Sequence, residues 1–144
     1  MYQRILVPTD GSEITARAVA AAVGLAKALG AEVYTLCVKE PFPYGAVAEI
    51  QPTPPQEFFD AQERAAARHV RAVIDACEAA GVVCHAKTID GLQPWEAIVE
   101  HAEKQGCDLL VMGSHGRSGL ATLFLGSETQ DVLKHTRIPV LVIR

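Results

Sequence analysis

The sequence has no surplus of positive charge. Lys and Arg number 13 against 17 Asp and Glu, a formal net charge of −4 over 144 residues. A broad nucleic-acid surface is therefore not expected, although a few backbone N–H groups suffice to hold a local anion. Long apolar runs are missing too. The longest stretch without a strongly polar residue, Ala18 to Ala26, is closed by Arg17 and Lys27. It falls far short of the roughly 18 residues a membrane span requires. The opening residues, Met1-Tyr2-Gln3-Arg4-Ile5-Leu6-Val7, have neither the apolar core nor the cleavage site of a secretory leader. The four cysteines, Cys37, Cys77, Cys84 and Cys107, form no C-x-x-C pair. Their place in apolar-periodic segments fits buried, reduced thiols in a cytoplasmic protein, with a metal site or redox pair as the alternative. No G-K-[ST] occurs, which excludes a Walker A loop, and the dinucleotide fingerprint G-x-G-x-x-G is absent as well.

What is present is an ordinary globular composition, 49% apolar and 21% charged. The length fits one domain, residues 1–144, large enough to bury a core without staples. Strand and helix patterns alternate along it. Ile5-Leu6-Val7 is a short apolar run, followed by a helical stretch from Glu13 to Leu29 with Ile14, Ala18, Ala21, Leu25 and Leu29 on one face. Val33 to Val38 is rich in β-formers. Pro41, Pro43, Gly45, Pro52, Pro54 and Pro55 make the next segment a long loop. A second helix is expected over Gln56–Ala80 with Phe59, Ala66, Val70, Val73, Ile74 and Cys77 inward, then a strand over Val82–Ile89. A third helix runs from Trp95 to Gln105, with Pro94 suited to its first turn and Ile98, Val99 and Ala102 inward. Leu109 to Met112 reads as a strand buried on both faces. A fourth helix follows over Ser127–His135, and Pro139 to Ile143 is the fifth strand. Gly30, Gly81 and Gly106 are the expected helix stops. The order β-α-β-α-β-α-β-α-β predicts a three-layer α/β/α fold of Rossmann-like type, with a five-stranded parallel sheet. Ligands of such sheets bind beyond the C-terminal strand ends, where the strand order switches.

The loop after the fourth strand carries the most unusual sequence. Gly113 and Gly116 lie three apart directly after a buried strand, and Gly126-Ser127 opens the fourth helix. Glycines let backbone N–H groups approach an anion, the helix start adds unsatisfied donors and partial positive charge, and Ser127 adds a hydroxyl. A glycine-rich loop with a plain helix cap is the competing interpretation.

The spacing of Gly113, Gly116, Gly126 and Ser127, G-2x-G-9x-G-[ST], resembles the ATP-binding motif of the universal stress protein family. The opening Ile5-Leu6-Val7-Pro8-Thr9-Asp10-Gly11-Ser12 and the ending Ile138-Pro139-Val140-Leu141-Val142-Ile143-Arg144 resemble that family's first and last strands, so the likeness covers the whole chain. It implies that the protein binds an adenine nucleotide, ATP or else AMP or ADP, with Mg²⁺ as a companion, and acts as a stress-response regulatory module. Pro8, Thr9 and Asp10 would line the adenosine side, with Asp10 on the ribose. Val38 would face the adenine and Met112 flank the nucleotide. Gly113, Gly116, Gly126 and Ser127 would take the phosphates, with Ser114, His115, Arg117 and Thr129 as weaker additions. For Asp10 the competing role is a helix cap, for Val38 core packing, and for Arg117 and His115 a solvated loop.

Glu128 departs from the family, many of whose members carry a small or β-branched residue there. It suits the helix dipole. Pointing inward it would repel a triphosphate and favour AMP; it is expected to point outward, which leaves ATP the first ligand. Catalytic spacing is absent: His69, His85, His101 and His135 are scattered, and His135 near a helix end suits the dipole. The resemblance allows slow ATP hydrolysis or autophosphorylation at most. A phosphoacceptor receiver domain, for which Asp10 and Asp90 are superficially suited, also needs an acidic pair after strand one and a lysine after strand five, and Arg144 stands there instead. A flavin carrier would have its phosphate loop elsewhere. A family member without nucleotide, acting through protein contacts alone, is the remaining alternative. An apolar edge strand is an aggregation hazard, so pairing Val140 to Ile143 with a second copy, as the family commonly does, implies a homodimer. Other protein partners are unidentified.

Overall fold

A computed structural model describes residues 1–39, 56–115 and 125–144. Five strands form one parallel sheet: β1 (Arg4–Leu6), β2 (Glu32–Lys39), β3 (Cys84–Asp90), β4 (Leu109–Gly113) and β5 (Val140–Ile143). The helices among the described residues are α1 (Glu13–Leu29), α2 (Gln56–Ala80), α3 (Pro94–Lys104) and α4 (Ser127–His135). The strand order is β3-β2-β1-β4-β5. From β1 the chain winds outward to β3, then returns to the other side of β1 for β4 and β5. The sheet is the parallel one that the alternating pattern predicts. The long proline-bearing loop, 41–55, lies outside the described residues.

Each face of the sheet carries its own apolar layer. Ile5, Val7, Val33, Leu109 and Val111 meet Ala18, Val19, Ala22, Val23 and Ala26 of α1 and Val73 and Cys77 of α2. On the opposite face Leu6, Tyr34, Leu36, Leu110 and Met112 meet Ile98, Val99 and Ala102 of α3 and Val132 of α4. Alternation along β1 and β4 sends neighbouring residues to opposite layers, which is why these central strands read as unbroken apolar runs. Thr35, a fully buried polar residue of β2, is satisfied because its hydroxyl donates to the Val7 carbonyl at 2.6 Å.

Two helix faces differ from expectation. In α1 the buried set is Ile14, Thr15, Ala18, Val19, Ala22, Val23 and Ala26, whereas Leu29 is 43% exposed. Ile14 and Ala18 belong to the expected face and Ala21 and Leu25 pack half-buried against the same core, so Leu29 alone departs from it. In α2 Ala66, Val70, Val73 and Cys77 face inward as expected, but Phe59 is exposed and stacks edge-on with Phe58. No disulfide joins the four cysteines to one another, and Cys37, Cys77 and Cys107 are buried. Burial pushes the Cys84 thiol up to about 12, helped by Cys77 beside it, and the Cys107 thiol up to about 11. No helix among the described residues is long and apolar enough to cross a membrane.

Candidate functional site

The switch in strand order falls between β1 and β4, so the segments following these two strands open side by side at the C-terminal edge of the sheet. After β1, Val7 N–H donates to the Tyr34 carbonyl and Thr9 N–H to the Leu36 carbonyl, both at 2.9 Å. These bonds carry the β1–β2 ladder past Leu6 and hold Pro8 and Thr9 against β2. Asp10 then turns the chain. Its Oδ1 accepts Ser12 N–H at 2.9 Å and the Thr15 hydroxyl at 2.8 Å. Ser12 is the cap of α1, accepting Thr15 N–H at 3.3 Å. Asp10 therefore braces the cap without being the cap itself.

Gly11 sits at φ +77°, and a Cβ there would lie 2.3 Å from Nε2 of His69. The imidazole, carried by α2, is laid directly over this turn, and its Nδ1 lies 3.7 Å from the Cys37 thiol of β2. Sequence reasoning missed His69 as part of this neighbourhood. Nothing in its local spacing points there, since the contact joins residues far apart in the chain. Val38 stands near the end of β2, with Cγ1 3.3 Å from where a Cβ on Gly91 would lie. Beyond it Lys39 is paired with Glu63 of α2 and, at 3.3 Å, with Asp90 of β3. The hydrogen bond that Lys39 donates to Glu63, and then Asp90, raise the pKa of the Lys39 ammonium against the opposing effect of desolvation.

The β4 side is built from two segments in backbone contact. Ser114 N–H donates to Ile143 of β5 at 2.7 Å, and the Ser114 carbonyl accepts Gly126 N–H at 2.6 Å. The buried Thr129 hydroxyl donates to the Gly113 carbonyl at 2.9 Å. A Cβ on Gly126 would lie 3.1 Å from the His115 Cα and 3.3 Å from the Ser114 oxygen. One on Gly113 would lie 3.1 Å from Ile14. Both glycines thus stand at close approaches that a side chain would crowd, at one point of backbone to backbone and at the other of strand to helix. The Ser114 hydroxyl lies 3.2 Å from His115 Nδ1.

The structure thus brings Met112, Gly113, Ser114 and His115 together with Gly126, Ser127, Glu128 and Thr129, and sets Pro8, Thr9 and Asp10 after the adjacent strand, with Val38 at the end of the strand beyond it. Gly116 and Arg117 lie outside the described residues. Ser114 N–H, Gly126 N–H and the Thr129 hydroxyl are already engaged in joining the segments. The start of α4 is different. Its cap residue is Gly126, no side chain among the described residues caps it, and Ser127 is exposed at its first position. An uncapped helix start presents N–H donors and partial positive charge to an anion. Glu128 does not point at this turn: its Oε2 accepts Trp95 N–H of α3 at 2.7 Å. Among the described residues no group of three or more His, Cys, Asp or Glu is placed to hold a metal.

A parallel α/β/α sheet whose strand order switches between β1 and β4, with a glycine-bearing strand end bonded to the start of a helix, defines a Rossmann-like protein. The universal stress protein family model matches residues 1–144, and the chain belongs to that family. It is 36% identical to universal stress protein MJ0531 of Methanocaldococcus jannaschii, over the whole of this chain and 83% of the relative. Among solved structures, protein MJ0577 of the same organism superposes with a TM-score of 0.79 at 32% identity, covering 99% of this chain and 96% of that one. A universal stress protein in complex with cAMP superposes at 0.68 with 29% identity, covering 99% and 97%.

Proposed function

We propose that this universal stress protein binds an adenine nucleotide in the crevice between β1 and β4 and serves as a regulatory module of the stress response. One observation carries the proposal. Gly126 N–H donates to the Ser114 carbonyl at 2.6 Å, which sets the start of α4, uncapped among the described residues, beside the end of β4 where the strand order switches. The relative that carries cAMP supports an adenine-type ligand. ATP is the first candidate, because Glu128 is turned toward α3 and leaves the first turn of α4 to phosphates; AMP and ADP follow. Asp10 takes the ribose, Val38 the base, Ser127 and the α4 N–H groups the phosphates, and Mg²⁺ accompanies the triphosphate as its counterion. The working protein is a cytoplasmic homodimer of one-domain chains joined through β5, where Leu141 is 39% exposed on an edge strand.

The test is to release bound small molecules by heat, identify them by mass spectrometry, and titrate the emptied protein with ATP, AMP and adenosine. An adenine nucleotide in the extract, or ATP binding below millimolar concentration, supports the proposal. Neither result would leave a protein that acts through protein contacts alone.

A further inference from the structure

Two helices start near each other without a side-chain cap of their own. α4 begins after Gly126, and α3 begins after Gln93, whose side chain makes no capping bond. Glu128 stands between them. A carboxylate in the first turn ordinarily favours its own helix start, yet Glu128 Oε2 accepts the Trp95 amide of α3 at 2.7 Å. The Trp95 ring in turn stacks on His135, the last residue of α4, at 4.1 Å between centroids and 22° between planes. His135 Nδ1 lies 2.7 Å from the Asp131 carbonyl one turn back, a bond that orients the imidazole. Trp95 therefore touches α4 at both ends, through its backbone at the first turn and through its indole at the last. From the other side Thr129 ties the same first turn to Gly113.

We propose that Glu128 is a positioning residue for the phosphate-facing turn. By capping α3 in place of its own helix, it fixes where α4 begins and turns its negative charge away from the α4 N–H groups. Those donors then stay open to the phosphates of a nucleotide. The inference rests on the nucleotide-binding proposal above.

Two substitutions separate the contributions. Glu128→Asp keeps the charge but is one methylene shorter. It loses reach to Trp95, and its carboxylate falls back on the N–H groups of its own helix, where a first-turn acid is favoured by the helix dipole. Glu128→Gln keeps the length and an accepting oxygen but removes the charge. Calorimetric titration should show ATP binding weakened roughly three- to tenfold in Glu128→Asp, with adenosine binding unchanged. Glu128→Gln should bind ATP at least as tightly as the native protein. Amide exchange at Trp95, read without ligand, should quicken in Glu128→Asp and stay slow in Glu128→Gln. Equal exchange in both variants overturns the tether itself. Unchanged ATP affinity in Glu128→Asp, or a parallel loss of ATP and adenosine, overturns its role in positioning. If Glu128→Asp does not fold, loss of ATP affinity in Glu128→Gln overturns the proposal on its own. Native protein that binds neither ATP nor adenosine overturns the nucleotide reading and with it the phosphate role of Glu128, whatever Trp95 shows.

Discussion

Replacing Gly126 with valine tests the cradle directly. The backbone at Gly126 is an ordinary extended cap, φ −62° and ψ 153°, so a side chain there meets no intrinsic strain. The cost arises from crowding. The new Cβ would sit 3.1 Å from the His115 Cα and 3.3 Å from the Ser114 oxygen. Carbon atoms rest about 3.5–4.0 Å apart, so the two segments must separate by roughly half an ångström. That stretches the 2.6 Å bond from Gly126 N–H to Ser114, whose loss costs about 1 kcal/mol. Adding the poor capping of a β-branched residue, total destabilisation should be about 1–2 kcal/mol. A typical domain has roughly 5–15 kcal/mol to lose, so the variant stays folded. Binding has a narrower tolerance, because donors displaced by about 0.5 Å no longer match their ligand. Urea denaturation should therefore show a modest fall in midpoint, while calorimetry shows ATP binding reduced at least tenfold. Native-like ATP affinity in a folded Gly126→Val protein would refute the placement of the phosphates.

Acid should weaken the fold through His101. Burial, then Lys87 and Lys104, hold this buried imidazole below its usual value of 6.5, so the unfolded chain takes up the proton first. Stability present above about pH 6.5 is lost as pH falls through the folded-state value, and urea midpoints measured from pH 7.5 to 5 should drop less in His101→Leu than in the native protein. Val132→Ala removes two methyl groups from a fully buried site between α4 and the sheet and should cost about 2 kcal/mol by thermal or urea unfolding. A maleimide reagent at pH 7.5 should modify Cys77, Cys84 and Cys107 slowly in the native protein, since burial raises all three thiols, and all four cysteines promptly in denaturant. Fast native labelling of Cys107 would contradict its burial.

The sheet and its helices were legible because their period is strong. Leu109 to Met112 reads as a doubly buried strand and is one, and Gly30 ends α1 at φ 68°, the left-handed conformation that glycine tolerates. The full width of the α1 face was not legible: Ile14, Ala18, Ala21 and Leu25 pack inward as their spacing says, but alanine on every side hid the burial of Val19 and Val23 beside them. Of the site, the glycines after β4 could be found from spacing. Local spacing pointed to neither His69 over Gly11 nor Glu128 on Trp95. Each is a contact between separate elements, set by how helices pack rather than by what stands nearby in the chain. Glu128, expected from the sequence to point outward, turns instead to the neighbouring helix and accepts the Trp95 amide.

β1 is the axis of the sheet, yet it is made of residues near the beginning of the chain. It pairs first with β2, and its other side meets β4 through Ile5 and Leu109. Asp108 seals that side by accepting the Gln3 and Arg4 amides at 2.9 and 3.0 Å. During synthesis the bare edge of β1 must therefore wait for about a hundred residues, a loop closure that slows folding. The ends of β1 and β4 stand side by side only once that closure is made. The β4 end is complete later still, when β5 has been made and the Ile143 carbonyl accepts Ser114 N–H.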